Sequence, residues 1–161
     1  MLGRAPARRA GVHYQYESDM RGESMSTKQC AVGTVVGGIV TFGLGYLIFD
    51  MLLGDFYAAN GGSATGVEKD PPLYWSLAVG ALAYAALIVY AMKSQAASAN
   101  VTSGMKVGAV VGFLIWACAD FTFYGGTNIG NLTITVVDPL VEIVRGGIVG
   151  AVLGAVLPKL A

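Results

Sequence analysis

The chain has 161 residues, 55% of them hydrophobic and only 12% charged, with a mean hydropathy of +0.61 and no net charge. A soluble domain of this size needs more charge to cover its surface, so the composition reads as an integral membrane protein. With no overall basic field and no basic stripe with interleaved aromatics, nucleic-acid binding is excluded.

Residues 1–27 are polar and mixed in charge, with Arg4, Arg8, Arg9 and Arg21 set against Glu17, Asp19 and Glu23. Such a stretch buries too little apolar surface to fold, and it reads as a disordered tail. Met25 is a plausible true start within it. The single histidine, His13, falls in this tail, which removes most histidine-based catalysis and metal binding.

Four apolar segments follow, at about 31–53, 73–92, 107–124 and 132–157. Each is close to the ~20 residues needed to cross ~30 Å of hydrocarbon. Residues 28–161 are therefore expected to form an all-α, polytopic domain of four transmembrane helices. The first segment is too long for a signal-peptide core and lacks a small-residue cleavage site. The start of the fourth is open. Asp138-Pro139 is a good helix start, with a carboxylate cap before a proline, and would leave 131–137 as an extended loop. Leu132 is the other candidate.

Loop charges give an orientation. Arg21 and Lys28, then Lys93 and Lys106, then Lys159 fall on one side, whereas Asp55, Glu68, Lys69 and Asp70 share a loop on the other. Lys and Arg collect in the cytoplasm, so both termini are expected inside. On that count Cys30 lies at the inner edge and Cys118 in the outer half, too far apart in depth for a disulfide. Glycines recur at four-residue spacing as Gly33/Gly37, Gly108/Gly112 and Gly146/Gly150/Gly154. That spacing lets helix backbones approach closely, within one bundle or between subunits.

Charges inside the segments carry the functional signal. At about 1.5 Å of rise per residue, Asp50 lies about 28 Å above the inner edge, Asp120 about 21 Å, Arg145 about 20 Å, Glu142 about 24 Å and Asp138 about 30 Å. Three helices thus bring five charges to one outer layer. Asp138, Glu142 and Arg145 stand at i, i+4 and i+7, one helical stripe that runs on towards Gly146, Gly150 and Gly154. A central charge facing lipid costs roughly 2.5–3.5 kcal/mol, so the stripe is expected to face inward. Four carboxylates facing one guanidinium require a cation or a retained proton.

Two stretches, YLIFDMLLGDFYAAN (46–60) and ADFTFYGGTNIGNLTITVVD (119–138), resemble a domain-of-unknown-function family of small bacterial four-helix inner-membrane proteins. The resemblance spans about residues 30–157 and rests on Asp50, Asp120, Thr122, Asn128 and Asp138. Phe123-Tyr-Gly-Gly-Thr between the Asp and the Asn, and EIVRGG after the last Asp, depart from its pattern. It implies a polytopic protein of the bacterial inner membrane, with an organelle membrane as the alternative, and it brings no activity.

The leading functional reading is a polar pocket on the outer side that binds or moves a cation or small solute. Asp120 and Glu142 would be ligands or proton carriers, Arg145 their counter-charge, Asp50 and Asp138 the mouth, with Thr122 beside them. The partners would be the lipid bilayer and a second copy or larger membrane complex. The alternative is a structural or assembly subunit of such a complex. An enzyme is not expected, because no intramembrane His, no Gly-x-Ser-x-Gly and no Cys beside a base is present. No cofactor is implied.

Overall fold

The computed structural model describes residues 25–94 and 99–160. The expected disordered tail, His13 included, lies outside them up to residue 24. Helix α1, Thr27–Gly45, runs without a break into a wider π-helical turn, Tyr46–Leu52. A short helix α2, Gly54–Ala59, follows. Then come α3 (Tyr74–Met92), α4 (Val101–Gly126) and α5 (Leu132–Val156), the last closed by a 3₁₀ turn at Leu157–Leu160.

Four spans, Thr27–Leu52, Tyr74–Met92, Val101–Gly126 and Leu132–Leu160, are long and apolar enough to cross a membrane. Each leaves large apolar side chains uncovered, such as Ile39 (68% exposed) and Trp75 (70% exposed). In water such surface would drive aggregation, whereas hydrocarbon solvates it without penalty. The chain is an all-α, multi-pass membrane protein.

Local capping places the helix starts earlier than hydropathy predicts. Ser26 and Gln29 form a reciprocal cap, with Gln29 N donating to Ser26 Oγ at 3.2 Å and Ser26 N to Gln29 Oε1 at 2.8 Å. Helix α1 therefore begins four residues before Ala31. Asn100 Oδ1 accepts from the backbone of Thr102 and Ser103, so α4 begins six residues before Val107. Caps are polar, and an apolar window passes over them.

Helix α5 corrects one of the two readings of its start. Its cap is Asn131, whose side chain accepts from Ile134 N at 3.0 Å, and Thr135 Oγ1 donates to the Asn131 carbonyl at 2.9 Å. Residues 132–137 are helical, and Asp138 sits inside the helix rather than capping it. Pro139 lacks an N–H, so the Thr135 carbonyl loses its usual i+4 donor. The extended pairing lies just outside α5, where Gly62 N donates to Ile129 O at 2.8 Å and Ala64 N to Asn128 O at 3.0 Å. A Cβ at Gly62 would overlap the Asn128 carbonyl, so only glycine allows this crossing.

The bundle consists of two closely packed pairs, α1 with α3 and α4 with α5. Between α4 and α5 the backbones touch. A Cβ on Gly104 would run into the Gly150 carbonyl, one on Gly108 into the Gly146 carbonyl, and one on Gly154 into the Asn100 carbonyl. On α1, Gly33 faces Leu157 and Val89, while Gly37 faces Ala85 and Leu153. The apolar core of Met25, Ile88, Val89, Met92, Val149, Leu153 and Leu157 fills the end that carries both described termini. There Gln29 Nε2 donates to the Leu157 carbonyl at 3.1 Å. The opposite end is looser, and the charged residues lie towards it.

Gly108→Leu should force α4 from α5 and destabilise the protein by about 1–3 kcal/mol or more, the usual cost of overpacking. Gly43, with nothing within 4 Å of its would-be Cβ, should accept leucine without loss. Thermal unfolding of both variants in detergent checks the contrast.

Candidate functional site

The polar site is built on α5 and completed by every other helix. Glu142 is fully buried (0% exposed) and Asp138 nearly so (5%). Their spacing of four puts both on the face that α5 turns to the bundle. Arg145, one turn on, donates from Nη1 to Glu142 Oε1 at 2.5 Å and from Nη2 to the Thr41 carbonyl of α1 at 3.1 Å. A Cβ at residue 45 would lie 3.2 Å from Nη2, so Gly45 leaves room for this reach. The guanidinium also stacks near the rings of Phe49 (5.4 Å) and Tyr84 (5.6 Å).

Two phenols close the carboxylates. Tyr84 of α3 donates to Glu142 Oε2 at 3.2 Å. Its hydroxyl passes through space kept free by glycine, since a Cβ on Gly112 would come within 2.5 Å of it and one on Gly146 within 2.7 Å. Tyr57 of α2 donates to Asp138 Oδ1 at 2.5 Å. Burial, and then the bond to Asp138, push the Tyr57 phenol well above its ordinary pKa, so it stays protonated and remains a donor.

The close packing of α4 against α5 brings Asp120 near Asp138. Asp120 Oδ2 is buried and has no hydrogen-bond partner among the described residues, as are Thr41 Oγ1 and Arg145 Nε. Neighbouring carboxylates in an apolar bundle repel each other, and a cation or proton beside them relieves the repulsion. No group of three or more His, Cys, Asp or Glu among the described residues is placed to hold a metal ion.

The expected layer thus resolves into Asp120, Asp138, Glu142 and Arg145 together, with Asp50 joined to Asp138 and Arg145 through a cavity and Thr122 apart. Thr122 is exposed and turns its hydroxyl back to the Cys118 carbonyl at 2.7 Å. Asp50 is exposed too, on the π-helical turn. There Asp50 lines a half-open cavity of about 730 Å³ between α1, α3, α4 and α5, shared with Asp138 and Arg145.

The sequence reading missed Tyr57, Tyr84 and the Thr41 carbonyl. Tyr84 left a trace, a phenol in the middle of the apolar run Leu82-Ala-Tyr-Ala-Ala-Leu87. Tyr57 stands beside Phe56 past the end of an apolar span, where a membrane interface favours aromatics and masks its polar role. A backbone carbonyl leaves no sequence signal at all.

No protein-family model, curated protein or solved structure matches the chain.

Arg145→Met should cost about 3–5 kcal/mol, because it strands the Glu142 carboxylate in an apolar interior. Adding Glu142→Leu should restore most of that loss, since the uncompensated charge rather than the missing contact dominates. Denaturant unfolding of the single and double variants in micelles measures both.

Proposed function

We propose that this membrane protein takes up a cation at its intramembrane carboxylates, the cation being a proton or a small monovalent ion. The observation that carries the reading is charge imbalance in an apolar bundle. Asp120, Asp138 and Glu142 supply three carboxyls, and the one guanidinium among them is already engaged by Glu142. Asp120 and Asp138 are left facing each other, and a single positive charge between them relieves the repulsion. The absence of a three-ligand metal cluster among the described residues favours a proton or monovalent ion over a divalent one.

On this reading Asp120 and Asp138 hold the cation, Tyr57 orients Asp138, and the Glu142–Arg145 pair sets the local field. The role is binding and transfer, not catalysis. Both termini face the cytoplasm, following the lysine distribution. The resemblance to small bacterial four-helix proteins supports the bacterial inner membrane as the location. A bundle of four helices is small for a transfer path, and a second copy of the chain would complete one.

The test is thermal stability in detergent over a panel of monovalent and divalent cations and pH values, for wild type, Asp120→Asn and Glu142→Gln. A ligand held only by the folded state stabilises by about 2.7 kcal/mol at a hundred times its dissociation constant. The reading expects a saturable, cation- or proton-specific stabilisation that is lost in Asp120→Asn. A flat response, with both variants as stable as wild type, would overturn it in favour of an assembly subunit of a larger complex, identified by stoichiometric partners on purification.

A further inference from the structure

The cavity has mostly apolar walls and few charges. Phe42, Tyr46, Phe49, Tyr74, Tyr84 and Trp116 contribute aromatic surface to it, and aliphatic side chains supply most of the rest. Its volume of about 730 Å³ falls in the range, roughly 300–1,000 Å³, that holds one drug-sized molecule. Three charged residues line it: Asp50, Asp138 and Arg145.

Arg145 is already paired within the bundle, and only its buried Nε lacks a partner. Nη1 is spent on Glu142, Nη2 on the Thr41 carbonyl, and the guanidinium lies beside the rings of Phe49 and Tyr84. Its charge is cancelled by Glu142, which does not line the cavity. That leaves Asp50 and Asp138 as the uncompensated charges, and both are carboxylates. Asp138 gives one oxygen to Tyr57. Aromatic faces carry negative potential and attract cations, most of all where water is scarce.

The geometry points to a binding site for a lipophilic organic cation, a quaternary or protonated centre bearing aromatic or alkyl groups, with Asp138 and Asp50 as its counter-charges and the aromatic walls as its apolar contact. This goes beyond the proposed function: it adds a second, organic cation on the cavity side, and it rests on that reading only for Asp138 as a carboxylate that accepts positive charge.

The chain has two tryptophans, Trp75 and Trp116, and only Trp116 lines the cavity. Trp75 is 70% exposed, so Trp75→Phe leaves a folded protein with one reporter at the site. In nanodiscs, that variant is titrated with tetraphenylphosphonium and, separately, with tetraphenylborate, an anion of nearly the same shape and greasiness. We expect a saturable change in Trp116 fluorescence with the phosphonium and none beyond lipid partition with the borate. Asp138→Asn and Asp50→Asn should each weaken the phosphonium response about tenfold, the loss of one charge contact at a desolvated site. Asp50 is exposed, so its variant keeps the fold and the test stays decisive if Asp138→Asn does not fold. Equal responses to the two ions, preference for the borate, or no saturable response to either would overturn the inference. If inorganic cations or protons stabilise the protein while the phosphonium fails to bind, only the organic-cation inference falls. If the phosphonium binds with both carboxylates required but the inorganic panel is flat, the proton or monovalent-ion reading falls and the cavity site stands.

Discussion

Along Gly104, Gly108 and Gly112 of α4, and Gly146, Gly150 and Gly154 of α5, there is no space for a single methyl group. Membrane helices gain little from burying apolar side chains against each other, because lipid tails solvate them equally well. Contact therefore has to come from close packing of the backbones, and glycine permits it. The rest of the site depends on that approach. It fixes α5 beside α4, so that Asp138 meets Asp120. It also clears the channel through which the Tyr84 hydroxyl passes Gly112 and Gly146 to reach Glu142.

The same packing divides the bundle along its length. At the end carrying both described termini, large side chains interlock, with Ile88, Val149 and Leu153 fully buried. Towards the other end α1 widens into its π-helical turn, and the cavity lies between α1, α3, α4 and α5. A tight half resists deformation and anchors the helices. An open half provides volume and lateral access. The buried polar residues lie beside the cavity, and there phenols, a guanidinium and a backbone carbonyl substitute for water. The Gly62 crossing over Asn128 ties the two loops that cap this half and keeps α2, and with it Tyr57, in place over Asp138.

Much of this was legible in the residues. Four apolar runs mark four spans, because a fixed hydrocarbon thickness demands a minimum length of apolar helix. The i, i+4, i+7 spacing of Asp138, Glu142 and Arg145 places them on one face, because helical geometry is local. Their inward direction follows from the cost of a charge in lipid. The choice between the two starts of the last helix was settled by a local cap that hydropathy cannot register, Asn131 rather than Asp138.

The sequence by itself thus determined the class of protein, the number of spans and which charged residues had to be sheltered, since each follows from transfer energies and helix periodicity along one chain. Only the tertiary structure decided the partners. Glu142 with Tyr84, Asp138 with Tyr57, and Arg145 with the Thr41 carbonyl join residues 58, 81 and 104 positions apart. Each pairing depends on how far two backbones approach and how one helix is rotated against the next. Those quantities come from mutual packing, which no single segment encodes.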